Sequence, residues 1–326
     1  MLSRAELGKR AIALAAVFVA FLGTTFVQAG TLETQTFPSA GLGGSIKALI
    51  YRPDGVPPAA GWPVVYLLHG LGGDETSWRD LGHIQPTLDE MMNTGAIVPA
   101  LVVMPGAGPA GWYVDSTDVG GPGNSETAVV TDLREAVERI YPVRKDMGGR
   151  AIAGLSMGGY GALRLALAHP DLFVAAASLS GAIWQNVPSD ELDLAPSAMS
   201  LIIDSTYFHH SDPTDISIGI DLPPVPPHFG SAFGNPFDAR RFNSQNVFTL
   251  LAQAIANGVA LPALFLSVGD DDSHKLWRGA IAFYETMQAA QQPVELRMTD
   301  GDHTWELWQV TVRDALIFIN GKWRNG

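Results

Sequence analysis

Gly154-Leu155-Ser156-Met157-Gly158 is the one G-x-S-x-G pentapeptide in a chain of 326 residues. Its surroundings suit the chemistry that this pattern can do. Arg150-Ala151-Ile152-Ala153-Gly154-Leu155 reads as a short buried strand. Tyr160 to His169 reads as a helix through Ala162, Leu163, Leu165, Ala166 and Leu167. A serine on such a sharp strand-to-helix turn is held strained, with its hydroxyl projecting above the sheet edge. The flanking glycines let the strand and helix backbones pass close together. The helix N-terminus behind the serine favours developing negative charge. The plainer alternative, a glycine-rich turn with an incidental serine, does not account for the strand and helix on either side.

Serine is a weak nucleophile on its own and needs a base, an orienter for that base, and donors for the oxyanion. On a nucleophile elbow the partners follow in the order serine, acid, histidine. Val268-Gly269-Asp270-Asp271-Asp272 follows a late apolar strand and is the place for the acid. Three adjacent aspartates cannot all face one histidine, so the spacing alone leaves the choice within the run open. Gly301-Asp302-His303-Thr304-Trp305 precedes the final helical stretch and makes His303 the base, with Asp302 or Thr304 available to cap that helix. His274 lies too close to the acid loop for that role. The oxyanion hole takes one backbone N–H from Met157 and a second from the loop His69-Gly70-Leu71-Gly72-Gly73, placed at Leu71. His69 is read as shaping that loop.

The elements that must hold these groups alternate between apolar runs and helical patterns, the mark of a mostly parallel α/β sheet with helices on both faces. Strands are expected at Ile46 to Tyr51, Pro63 to His69, Pro99 to Pro105, the elbow strand, Phe173 to Ser180, Pro262 to Gly269 and Pro293 to Met298. Helices are expected at Val129 to Ile140, after the elbow, at Leu276 to Ala290 and at Trp305 to Ile319. The rhythm breaks between about 182 and 246, where Asp221-Leu222-Pro223-Pro224-Val225-Pro226-Pro227-His228 sits among many polar and aromatic residues. That stretch reads as a lid-like insertion rather than a second domain. His209, His210 and His228 within it are read as surface or pocket-mouth residues. Trp184, Trp112 and Tyr113 are candidate substrate-binding wall residues, with plain packing as the alternative.

Arg4, Lys9 and Arg10 followed by the apolar run Ala11 to Leu22 and the small-residue site Val27-Gln28-Ala29 read as a secretory signal peptide over residues 1–29. The expected mature protein is one domain over 30–326, secreted or periplasmic, with no later stretch able to span a membrane. The net charge is −13 for the whole chain and −15 without the leader, which carries Glu6 and the three basic residues. So acidic a chain argues against nucleic acid and anionic membrane surfaces as partners. There is no cysteine, which excludes a thiol nucleophile, disulfides and thiolate-held metals. No histidine pair has metal-ligand spacing, so no metal is expected.

Together, Leu67-Leu68-His69-Gly70-Leu71-Gly72-Gly73, the stretch Arg150 to Ala162, His169-Pro170-Asp171-Leu172-Phe173, Ser178-Leu179-Ser180-Gly181 and Gly301-Asp302-His303-Thr304-Trp305 resemble an esterase family of α/β-hydrolases. That family includes esterase D (S-formylglutathione hydrolase), feruloyl esterases and mycobacterial mycolyltransferases. The resemblance covers about residues 40–322. It implies a cofactor-free enzyme acting on carboxylic esters or thioesters, with small-molecule, polysaccharide or lipid esters as substrates. It also implies Ser156, Asp272 and His303 as a triad and Leu71 and Met157 as the hole. In related chains the acid commonly stands three residues after the glycine, which selects Asp272 over the alternative, Asp271. Acyl transfer to a sugar or lipid hydroxyl is the alternative activity, because both reactions share the acyl-enzyme. Gly158-Gly159 looks more like the hydrolases than the mycolyltransferases, which tend to carry serine at the first of those positions.

Overall fold

The computed structural model of the protein describes residues 29–195 and 229–324. All but the last residue of the expected signal peptide, the proline-rich run and His209, His210 and His228 lie outside the described residues.

Eight strands form one sheet: β1 (Thr31–Ser39), β2 (Gly44–Arg52), β3 (Val64–Leu68), β4 (Leu101–Gly106), β5 (Arg150–Leu155), β6 (Ala175–Leu179), β7 (Ala263–Gly269) and β8 (Val294–Thr299). Their order across the sheet is β1-β2-β4-β3-β5-β6-β7-β8. β1 and β2 form an antiparallel hairpin, β2 runs antiparallel to β4, and every later pairing is parallel. Parallel strands need helical crossovers and so end up covered on both faces. The central strands are accordingly buried and mostly apolar, and successive residues feed opposite cores. Val64, Tyr66, Leu68 and Ile152 enter one cluster, while Val65, Leu67, Ala151, Ala153 and Leu155 enter the other.

Among the described residues, the helices longer than one turn that flank the sheet are α1 (Ile84–Asn93), α2 (125–140), α3 (Met157–Ala168), α4 (Ala239–Gln245), α5 (Val247–Ala256), α6 (Trp277–Ala289) and α7 (Trp305–Arg324). α3 packs against β5 and β6 in the first core. α7 lays Trp308, Val312, Leu316 and Ile319 into the second. The first layer of the fold is thus the sequence pattern made solid.

Two features depart from the sequence reading. β1 was not anticipated. Its residues Thr31, Glu33 and Gln35 lie on an edge strand with much of its surface in water, so no apolar run marks it. The irregular stretch also ends earlier than 246. Asp238 accepts hydrogen bonds from the backbone N–H groups of Arg240 and Arg241 at 2.9 and 3.1 Å and starts α4. Asn246 caps α5 in the same way, through the N–H of Phe248. The α4 pattern Arg-Arg-Phe-Asn-Ser-Gln carries only Phe242 as an apolar anchor, too few for a periodicity signal.

Candidate active site

Ser156 stands between β5 and α3 with φ 53° and ψ −119°, a strained backbone for a residue with a Cβ. The turn is imposed by close packing. A Cβ on Gly158 would stand 2.6 Å from the carbonyl oxygen of His69, and one on Gly154 would stand 2.4 Å from the carbonyl oxygen of Gly158. Both positions therefore require glycine. The Ser156 N–H donates to Leu179 O at 2.9 Å and its carbonyl accepts from Tyr160 and Ala182, so the strain is held from both sides.

His303 Nε2 lies 3.0 Å from Ser156 Oγ, and His303 Nδ1 lies 2.8 Å from Asp272 Oδ2. All three residues are buried. The second carboxylate oxygen of Asp272 accepts from the N–H of His274 at 3.0 Å and, more loosely, from that of Leu276 at 3.4 Å. The carboxylate therefore has one oxygen anchored to backbone and the other facing the imidazole. Asp270 and Asp271 are exposed. Among the three adjacent aspartates, only Asp272 is brought to the histidine.

Leu71 is half-buried in a loop drawn tight by Gly72 N–H to Pro109 O at 2.7 Å and Gly73 N–H to Gly70 O at 3.1 Å. His69 Nδ1 lies 2.7 Å from Gly70 O, so this nitrogen carries the proton and donates. Burial pushes the His69 pKa below the ordinary histidine value, which keeps the ring neutral. The Tyr113 hydroxyl donates to His69 O at 2.9 Å and pins the loop from the other side. Met157 is the first residue of α3, so its N–H has no acceptor within the helix.

Ser156, His303, Leu71 and His274 line an open cleft of about 530 Å³, together with His83, Trp305 and Trp308. Asp80 and Glu306 contribute carboxylates to its wall, and among the described residues no lysine or arginine lines it. Trp112 and Trp184 are not among its lining residues either. Both are buried, packed with Tyr160, Phe229, Phe233 and Phe242 in an aromatic cluster, as their packing alternative expects. Rings at centroid separations of 5.0–6.5 Å gain more from each other than from a solvent-facing pocket. Tyr113 is likewise buried, where it serves the His69 loop.

The tryptophans that do line the cleft follow the histidine. Trp308 meets the His303 ring edge-on at 4.8 Å and donates through Nε1 to Ser180 Oγ at 3.2 Å. Trp305 crosses Trp78 edge-on at 5.4 Å. Their spacing of two and five residues beyond His303 on a new helix was the available signal. His274, set aside as a base, meets His303 edge-on at 4.7 Å. The carboxylates of Asp270, Asp271 and Asp300 also approach within 4.8 Å of one another, on the exposed surface beside the acid loop. Exposed acidic groups of this kind are common without a metal.

Comparison with known proteins fits this geometry. Residues 39–319 match the sequence profile of the family described as Putative esterase. The esterase Rv1288 of Mycobacterium tuberculosis (strain ATCC 25618 / H37Rv) is 34% identical over 145 residues, covering 41% of this chain and 30% of that protein. An endo-1,4-beta-xylanase/feruloyl esterase of Xylanibacter ruminicola is 29% identical over 160 residues, 48% of this chain and 22% of that protein. The chain spans under a third of the length of either relative. A solved ferulic acid esterase superimposes with a TM-score of 0.66 at 24% identity, over 90% of this chain and 99% of that one. Such a likeness establishes the α/β-hydrolase fold.

Proposed function

This chain belongs to the Putative esterase family, and on that premise we propose that it is an exported serine carboxylesterase, cleaving carboxylic esters or thioesters through an acyl-enzyme. The observation that carries the reading is the continuous hydrogen-bonded series from Asp272 through His303 to Ser156 on a strained turn.

Ser156 Oγ attacks the acyl carbon while its proton passes to His303 Nε2. The oxyanion that forms takes hydrogen bonds from the backbone N–H groups of Leu71 and Met157. Losing one such donor typically costs about a hundred- to a thousand-fold in rate. His303 then returns the proton to the departing alcohol or thiol, which leaves the acyl group on Ser156. Water, deprotonated by the same nitrogen, attacks the acyl-enzyme and releases the acid. Asp272 holds the imidazole with its proton on Nδ1 and stabilises the imidazolium. Nothing in this cycle calls for a metal or an organic cofactor.

Export rests on the basic residues, apolar run and small-residue site at 1–29. Among the described residues no helix is long and apolar enough to cross a membrane.

Hydrolysis of p-nitrophenyl esters from acetate to palmitate, with Ser156→Ala alongside, tests the reading. The expected result is turnover by the natural chain and near-complete loss in the variant, with folding unchanged. Undiminished turnover by Ser156→Ala would overturn it. Product formed only after addition of an alcohol would replace hydrolysis by acyl transfer.

A further inference from the structure

The triad acid and the triad base sit on different loops, after β7 and β8. β7 and β8 pair in parallel, and their backbone bonding does not stop at the strand ends. Asp270 N–H donates to Thr299 O at 3.0 Å, and Asp271 N–H donates to Gly301 O at 3.2 Å. The loops come this close because a Cβ on Gly269 would stand 2.0 Å from Gly301 O. Past this point, beside Asp272 and His303, a side chain joins the two loops. Asp302 Oδ1 accepts from the N–H of Ser273 at 2.7 Å and from the N–H of His303 at 2.6 Å.

We propose that Asp302 is a positioning residue: its carboxylate is the last rung between the two loops, fixing the Asp272 loop to the His303 loop at the distance the triad needs. One oxygen holds the residue after the acid and the base itself. Substrate has no need to touch Asp302, and the residue acts only through its neighbours. The expected cap at the start of α7 is at most a minor duty of this side chain, because its best acceptor oxygen is committed across the loops. The two N–H groups that it gathers, with the Ser273 hydroxyl, outweigh its burial and hold its pKa below the ordinary aspartate value. The rung is therefore in place throughout the neutral range.

The proposal rests on the catalytic reading above for its effect on rate, and on geometry alone for its effect on the loops. Removing the carboxylate frees both loops by amounts of the order of an ångström, and misplacement on that scale costs about a hundredfold in kcat. Asp302→Ala and Asp302→Asn are compared in the full chain, beside Ser156→Ala. Asn keeps an acceptor oxygen for both N–H groups, whereas Ala keeps none. The expected result is a fall of about a hundredfold in kcat for Ala with little change in KM, and recovery of most of that loss in Asn. Hydrogen exchange at the Ser273 and His303 amides, read by NMR, is expected to quicken in Ala and stay slow in Asn. Natural kcat in Asp302→Ala, equal losses in both variants, or unchanged exchange at both amides would overturn the proposal. If the natural chain itself hydrolyses no ester, the catalytic reading fails, and the exchange experiment still decides the rung.

Discussion

Changing Asp272 to Asn leaves the shape of the site intact and reverses one hydrogen bond. In the natural chain, Asp272 Oδ1 accepts from the His274 N–H at 3.0 Å and Oδ2 accepts from His303 Nδ1 at 2.8 Å. Asparagine can keep only one of these oxygens. If its oxygen stays on the backbone N–H of His274, its amide NH₂ faces His303 Nδ1 and donates to it. The histidine must then carry its proton on Nε2, pointed at Ser156 Oγ, and it cannot accept the serine proton. Turning the amide over restores the histidine but sets NH₂ against two backbone N–H donors in a buried pocket. That leaves two buried donors unpaired, at a cost of ~1–3 kcal/mol for the well-bonded His274 N–H and less for the looser Leu276 N–H. The wrong tautomer therefore wins. For a buried orienting aspartate of this kind the loss in kcat is about ten-thousand-fold, near 5.5 kcal/mol at ~1.4 kcal/mol per decade. The assay is kcat on p-nitrophenyl acetate near neutral pH, with circular dichroism to confirm the fold and Asp271→Asn as the control. Activity within tenfold of the natural chain, or an equal loss in Asp271→Asn, would refute this assignment of the acid.

Two further outcomes follow from the charges. The carboxylate of Glu126 is half-buried, where burial alone would raise its pKa, but hydrogen bonds from His169 and Arg164 at 2.6 Å and the Arg164 charge bring it down to about 2. Its folded-state pKa is thus below its unfolded one, so its contribution is complete above the unfolded value near 4.5 and is lost as pH falls through about 2. Glu126→Gln is expected to lower urea stability at pH 7 by about 2–3 kcal/mol, with the gap narrowing below pH 4; a gap independent of pH would contradict it. The cleft carries Asp80 and Glu306 and, among the described residues, no lining lysine or arginine, so esters with an anionic alcohol or thiol are expected to react more slowly than neutral ones of equal size. Glu306→Gln should raise kcat/KM for the anionic ester about twofold and leave the neutral one unchanged at low salt; an equal change in both would contradict it.

The serine, the histidine and the sheet that carries them were legible because each rests on local constraint. A strand-turn-helix built around Gly154 and Gly158 leaves a recognisable pattern, and fully buried parallel strands must be apolar. Spacing by itself narrowed the acid only to three residues, and Asp272 was selected through the resemblance. Which aspartate turns inward depends on backbone N–H groups of His274 and Leu276, and on rungs between β7 and β8, that no spacing encodes. Trp112 and Trp184 carried two readings, cleft wall or packing, for a related reason. An aromatic residue near a loop looks the same in sequence whether it lines a cleft or packs on Phe229. The real indole walls, Trp305 and Trp308, became evident only once α7 was seen to start beside His303. β1 was missed because an edge strand facing water carries no apolar signature.

The most direct test of the account is reaction with a fluorophosphonate probe followed by mass analysis of the digested protein. One adduct per chain is expected, on the peptide that contains Ser156, with labelling abolished in Ser156→Ala and strongly slowed in His303→Ala. Stoichiometric labelling at another serine, or no adduct in a chain that still hydrolyses esters, would contradict it.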